Sequence, residues 1–128
     1  MDENEIAREI VDAAHRVHTK LGPGLLESVY ETVLEFELKS RGFKVTPQGP
    51  IEIQDEQLAI PDAFRADLIV NGLVIVDLKP VEKVTDLHKK QLLTYLKLSG
   101  KRLGLLINFG SELIKHGITR IVNGLPET

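Results

Sequence analysis

The stretch 64–79 constrains the fold more than any other part of the chain. Residues 64–70 and 73–79 are rich in β-branched and aliphatic side chains and flank Asn71-Gly72, a pair that favours the left-handed backbone of a hairpin. Side chains alternate across a strand, so Val74, Val76 and Leu78 share one face, while Leu73, Ile75, Asp77 and Lys79 share the other. A carboxylate and an ammonium thus stand side by side at the end of an apolar strand. Burying either alone is costly, so each other, further polar groups or a metal ion must compensate them.

The turn decides whether Asp67 joins them. A strict two-residue turn would set Val70 against Leu73 and Asp67 against Val76, leaving Asp67 and Asp77 on opposite faces. A three-residue loop, Asn71-Gly72-Leu73, pairs Val70 with Val74 and Asp67 with Asp77, commonly with a left-handed glycine and a bulge. Two carboxylates on neighbouring strands can hold a hard divalent cation such as Mg²⁺, which keeps several waters. Such a cation acidifies a water and stabilises charge on a phosphoryl oxygen. The Lys79 ammonium can steady the attacking hydroxide or the developing phosphorane charge. An ordinary Asp–Lys ion pair with a neighbouring turn acid explains the same spacing.

The rest of the chain reads as one α/β domain, residues 1–128. Ile6, Ile10, Ala13, Ala14 and Val17 fall at helical spacing and predict a helix over 4–20. Gly22-Pro23-Gly24 breaks it. A second helix begins near Leu25, with Leu26, Val29, Tyr30, Val33 and Leu34 as its apolar stripe and Gly42 as its stop. Residues 43–46 and 50–54 are short β-leaning pieces separated by Pro47-Gln48-Gly49. Thr85 or Asp86 caps a third helix reaching Leu98, stopped by Ser99-Gly100. Residues 103–109 form an apolar run expected of a strand covered on both faces, and 118–122 an edge strand. The order predicts a mixed sheet of four or five strands with helices on both faces.

Glu27 borders the stripe of the second helix and can reach the carboxylates; a first-turn glutamate favoured by the helix dipole also accounts for it. On the third helix His88, Gln91 and Tyr95 share one face. Gln91 there can hydrogen-bond the attacking water or a phosphate, or simply be a satisfied boundary amide. His15 and His18 have no evident third ligand for zinc, and Gly22-Pro23-Gly24 lacks the ending of a phosphate loop.

Charge is unevenly spread behind a net −3: residues 1–38 carry nine acids and three bases, while 79–102 carry seven bases and two acids. The basic stretch suits a polyanion or a solvated helix face. With no cysteine the chain has no disulfide framework or thiolate nucleophile. No apolar run has a membrane-spanning length, and the acidic start lacks the features of a signal peptide, so a soluble cytoplasmic protein is expected.

Several motifs in order, spanning about 6–122, resemble one known family. Gly24-Leu25-Leu26-Glu27-Ser28-Val29-Tyr30 is similar to the Gly-x-x-Glu-x-x-Tyr signature of the GxxExxY family. Arg65-Ala66-Asp67-Leu68-Ile69-Val70, Val74-Ile75-Val76-Asp77-Leu78-Lys79, His88 with Gln91-Leu92-Leu93-Thr94-Tyr95-Leu96, and Gly104-Leu105-Leu106-Ile107-Asn108-Phe109-Gly110 extend the likeness. That family is placed in the PD-(D/E)xK nuclease superfamily. The resemblance implies a restriction-endonuclease-like sheet, with Asp67 and Asp77 as first and second acids and Lys79 as the catalytic lysine. It adds Glu27 as helical acid and Gln91 as polar helix residue. The second acid is usually Glu in this family; here it is Asp77, one methylene shorter. Pro61-Asp62 spells the superfamily's name but precedes the aligned strand.

The expected function is a Mg²⁺- or Mn²⁺-dependent nuclease cutting DNA or RNA. Asp67, Asp77 and Glu27 are its metal ligands, and Lys83, Lys89, Lys90, Tyr30 and Tyr95 contact nucleic acid. Alternatives are a non-catalytic module of the same fold that binds nucleic acid or a protein, and a homodimer built through an exposed edge strand.

Overall fold

A computed structural model describes residues 1–126. Helix α1 (Glu3–Leu21) opens with a capping box, Asp2 accepting from the Glu5 N–H and Glu5 reaching back to the Asp2 N–H. Helix α2 (Glu27–Ser40) follows the Gly22–Gly24 break. Strands β1 (Val45–Asp55), β2 (Leu58–Val70) and β3 (Val74–Leu78) form an antiparallel meander. Helix α3 (Asp86–Ser99) then crosses to β4 (Leu103–Ile107), parallel to β3, and β5 (Ile118–Val122) closes the far edge. The fold is α/β: a five-stranded mixed sheet in the order β1-β2-β3-β4-β5, flanked by three helices.

The alternation read from the sequence sorts the core into two layers. Leu68, Val70, Val74, Val76 and Leu78 pack with Leu103, Leu105 and Ile107 against α1 and α2. Ile69, Ile75 and Leu106 pack against Leu92 and Leu96 of α3. Strand β4 is buried along its whole length. At Gly104 a Cβ would come within 3.0 Å of Leu92, so α3 rests directly on the backbone of β4.

The β2–β3 connection is the three-residue loop. Val70 pairs with Val74, Ile69 with Ile75 and Leu68 with Val76. Asn71 and Gly72 hold φ of +53° and +68°, and the Leu73 N–H closes the turn on the Val70 carbonyl at 3.0 Å.

Two expectations need correction. The pieces 43–46 and 50–54 are one continuous strand, β1, running through Pro47 and Pro50. It lies at the sheet edge, where a missing N–H costs no ladder bond; its irregularity comes instead between Ile51 and Ile53. Strand β2 begins at Leu58 and not near Phe64; residues 58–63 are exposed on both faces, so no apolar alternation marked them as strand. A short 3-10 turn, Ile114–His116, between β4 and β5 was not expected from the sequence.

Candidate active site

The ladder between β2 and β3 ends at Leu68 and Val76. One residue further, the strands part and Asp67 fills the gap: its Oδ2 accepts the Leu78 N–H at 2.7 Å. A carboxylate thus replaces the main-chain carbonyl that a continuing ladder would have offered. It sits where the β2–β3 ladder ends, so that groups from both helical layers can meet it.

Asp77, opposite Asp67 by continuation of the register, is buried. Its Oδ1 lies 3.3 Å from the Lys79 Nζ, while its Oδ2 is buried with no hydrogen-bond partner. Burial pushes the Asp77 carboxyl up to about 6, Asp67 within hydrogen-bonding reach adding to the rise and the Lys79 charge opposing it. Burial works against the Lys79 ammonium, yet the Asp77, Asp67 and Glu27 carboxylates outweigh it and hold its pKa above the ordinary lysine value.

Glu27 arrives from the other side, at the first position of α2. Gly24 takes φ +100°, open to glycine and strained for other residues. Tyr30, fully buried, donates from Oη to the Gly22 carbonyl (2.6 Å) and accepts the Leu25 N–H (3.1 Å), pinning the loop that delivers Glu27. The spacing of glycine, glutamate and tyrosine is therefore a local device: a bend, a presented carboxyl and a clamp. The Glu27 carboxyl is pushed up to about 7, first by partial desolvation and then by the Asp67 charge, with which it is also within hydrogen-bonding reach. Glu27 and Asp67 line an open cleft of about 490 Å³ together with Leu26, Ser28, Glu31 and Gln48, so the acids are accessible from outside.

Two cleft residues went unnoticed in the sequence. Glu31, one turn after Glu27 on the same helix face, accepts from Gln48 Nε2 at 2.6 Å. Its carboxyl is raised by burial, while the Gln48 hydrogen bond pulls it down. The i, i+4 spacing of the two glutamates was the available signal.

Other expected residues fall elsewhere. Tyr30 is stacked on Phe109 (centroids 4.6 Å apart) with no exposed surface. It is therefore an internal clamp and not a contact for nucleic acid, since its hydroxyl and ring are both consumed inside the fold. Tyr95 is half-buried, stacked on Phe64 at 3.9 Å. Its hydroxyl pKa is raised by burial and by the Asp77 charge, which sets it beside the acids. Gln91, one turn before Tyr95, is exposed and makes no hydrogen bond. Lys83 and Lys90 are exposed and Lys89 half-buried. Asp62 is exposed and pairs with Arg65 at 3.0 Å. His18 is buried, its Nε2 2.8 Å from the Ser111 carbonyl oxygen.

The three acids do not yet enclose a point. Among the described residues no three His, Asp or Glu side chains surround a metal-sized position. Contacts run pairwise, Glu27 to Asp67 to Asp77, because like charges repel and Lys79 draws on Asp77. The donor set nonetheless suits a hard divalent cation: all oxygen, crowded, with Asp77 Oδ2 left without any partner.

A five-stranded mixed sheet covered by helices on both faces, with carboxylates gathered where two strands part, has the architecture of an α/β nuclease domain. Residues 4–121 match the family model described as the PD-(D/E)XK nuclease superfamily, and the chain belongs to that superfamily. Its members generally use divalent metal ions, and the membership implies a nucleic acid substrate. No match was found among curated proteins or solved structures. Among the described residues no helix is long and apolar enough to cross a membrane.

Proposed function

We propose that this chain is a divalent-metal-dependent phosphodiesterase of the GxxExxY branch, hydrolysing DNA or RNA. Asp67, Asp77 and Glu27 would bind Mg²⁺ or Mn²⁺. The observation that carries the reading is the Asp67 carboxylate in the gap between β2 and β3, within reach of both Glu27 and Asp77 and beside Lys79. A bound divalent cation supplies Lewis acidity there, acidifying the attacking water and countering charge on the phosphoryl oxygen. Asp67 is oriented by its hydrogen bond from Leu78, so its free oxygen has a fixed direction. Lys79, kept charged by the surrounding carboxylates, offers an ammonium to an oxygen of the reacting phosphate. Glu27, on the open side of the cleft beside Asp67, would complete the oxygen donors around the cation. Gln91, Lys83, Lys89, Lys90 and Tyr95 border the path a strand would take.

The test is cleavage of single- and double-stranded DNA and RNA in Mn²⁺, comparing the unmodified chain with Asp77→Asn and Lys79→Met. Each substitution is expected to lower the rate about a hundredfold or more. Cleavage that survives Asp77→Asn unchanged overturns the assignment. Tight binding of nucleic acid without cleavage by the unmodified chain would instead support a non-catalytic module, the reading favoured by the short arm and Lys79 pairing of Asp77.

A further inference from the structure

Beside the carboxylate cluster, on the neighbouring strand, is a small cavity of about 220 Å³ that this chemistry does not use. It opens where β4 ends, and β3 and β4 run in parallel with Leu78 opposite Ile107. The Lys79 N–H donates to the Ile107 carbonyl at 2.9 Å, so Lys79 and Asn108 are the abutting residues at two adjacent strand ends. The cavity lining is polar: Lys83, Lys89 and His116 bring basic groups, Ser111 and Thr119 bring hydroxyls. Neither lysine is in an ion pair among the described residues. Glu82, also at the rim, is the one acid of the lining.

Asn108 is what makes this a built site and not a gap between side chains. It lines the cavity yet is only 2% exposed. Its Oδ1 accepts two main-chain N–H groups, from Val81 at 3.0 Å and Gly110 at 2.9 Å. That fixes the amide plane, and Nδ2 has no acceptor among the described residues. Unlike Asp77 Oδ2, this unpaired nitrogen is not sealed off, so its N–H groups are open to an acceptor placed in the cavity. The surrounding loop is shaped to leave it room: a Cβ on Gly110 would meet the Val81 carbonyl oxygen at 2.6 Å, and one on Gly117 would meet Ser111 Oγ at 2.7 Å.

We propose that this cavity binds a phosphate group of the nucleic acid, adjacent along the strand to the phosphate presented to Lys79. The proposal rests on the nuclease reading of the carboxylate cleft. Asn108 Nδ2 and the two hydroxyls donate to phosphate oxygens, and Lys83 and Lys89 supply the charge. The same chemistry fits an internal phosphodiester or the phosphomonoester at a strand end.

The first experiment uses inorganic phosphate and isotope-labelled protein free of divalent metal. Saturable shifts are expected for the Asn108 side-chain amide and for the amides of Ser111 and Thr119. They should vanish in Lys83→Gln combined with Lys89→Gln and persist in Lys97→Gln, which removes charge from the last turn of α3, the helix that carries Lys89. Asn108→Asp keeps an acceptor for Val81 and Gly110 while turning the donor into an oxygen, and should also abolish them; should it not fold, the lysine pair carries the test. No saturable shift, or equal shifts in every variant, overturns the proposal. The second experiment measures binding of one oligonucleotide sequence in EDTA with a 5′-phosphate, a 3′-phosphate or neither. About tenfold tighter binding of one phosphorylated end assigns a terminal phosphate. Equal binding that weakens about tenfold in the lysine double variant assigns an internal one, whereas equal binding that the variant leaves unchanged overturns the proposal. Phosphate binding without metal-dependent cleavage would remove the nuclease reading and leave this site standing; cleavage without it would do the reverse.

Discussion

Asp77 and Glu27 hold their protons to unusually high pH, about 6 and about 7, against ordinary values of 3.8 and 4.5. Burial is the leading cause at both, and the neighbouring acids add to it. A carboxyl whose folded pKa is raised binds more protons folded than unfolded across that window. Metal-free stability is therefore expected to fall as pH rises from about 4 to about 7, the reverse of a salt-bridged acid. Thermal melts in EDTA across that range check the sign, and millimolar Mn²⁺ at pH 7.5 should recover the loss by binding the ionised cluster. Glu27→Gln should flatten the dependence. At Tyr30 the expected effect is mechanical: Tyr30→Phe removes both hydrogen bonds to the 22–25 loop. It should cost about 1–2 kcal/mol of stability and lower cleavage by displacing Glu27, while leaving the core intact.

Among the elements, the β2–β3 turn carries the most. Gly72 has open space around its missing Cβ, so Gly72→Ala should cost only the left-handed strain, about 1–2 kcal/mol. Deleting Leu73 is far harsher. It forces the two-residue turn, turns every β3 side chain to the wrong face, and should abolish both cooperative melting and cleavage. This hairpin, α3 and β4 were legible in the sequence because turn chemistry and alternation are local. The unbroken β1 was not: its prolines read as breakers unless the strand is known to lie at the edge. Nor was the role of Asn108, since the N–H groups that orient it belong to Val81 and Gly110, and only folding brings Val81 to it. The pairing of Asp67 with Asp77 was readable only as one of two registers; the carboxylate's bond to Leu78 was not readable at all.

For the whole molecule, the two core layers and the projecting hairpin play different parts. Residues 54–60 lie outside both core clusters and are exposed. Replacing 54–59 by Asn-Gly should shift the melting temperature by no more than about 4 °C, whereas Leu34→Ala in the fully buried layer should cost about 2–5 kcal/mol. Of the seven bases in 79–102, Lys79 pairs with Asp77, Lys101 donates to the Gly72 carbonyl and Arg102 grips Glu3. Lys83, Lys89, Lys90 and Lys97 are left to meet phosphates. With Lys79 at the reacting phosphate, the slope of log Kd against log salt for a single strand should then not exceed about 3.5 in magnitude. Asp67 belongs to both accounts, since it fastens the split end of the sheet while facing the cleft. A lineage released from cutting would have reason to keep it, as Leu78 would otherwise lose its acceptor, and would be free to let Asp77 and Lys79 drift. Survival of that one aspartate in a descendant is evidence of shared architecture, and the test of retained enzymology is the pair on the adjacent strand.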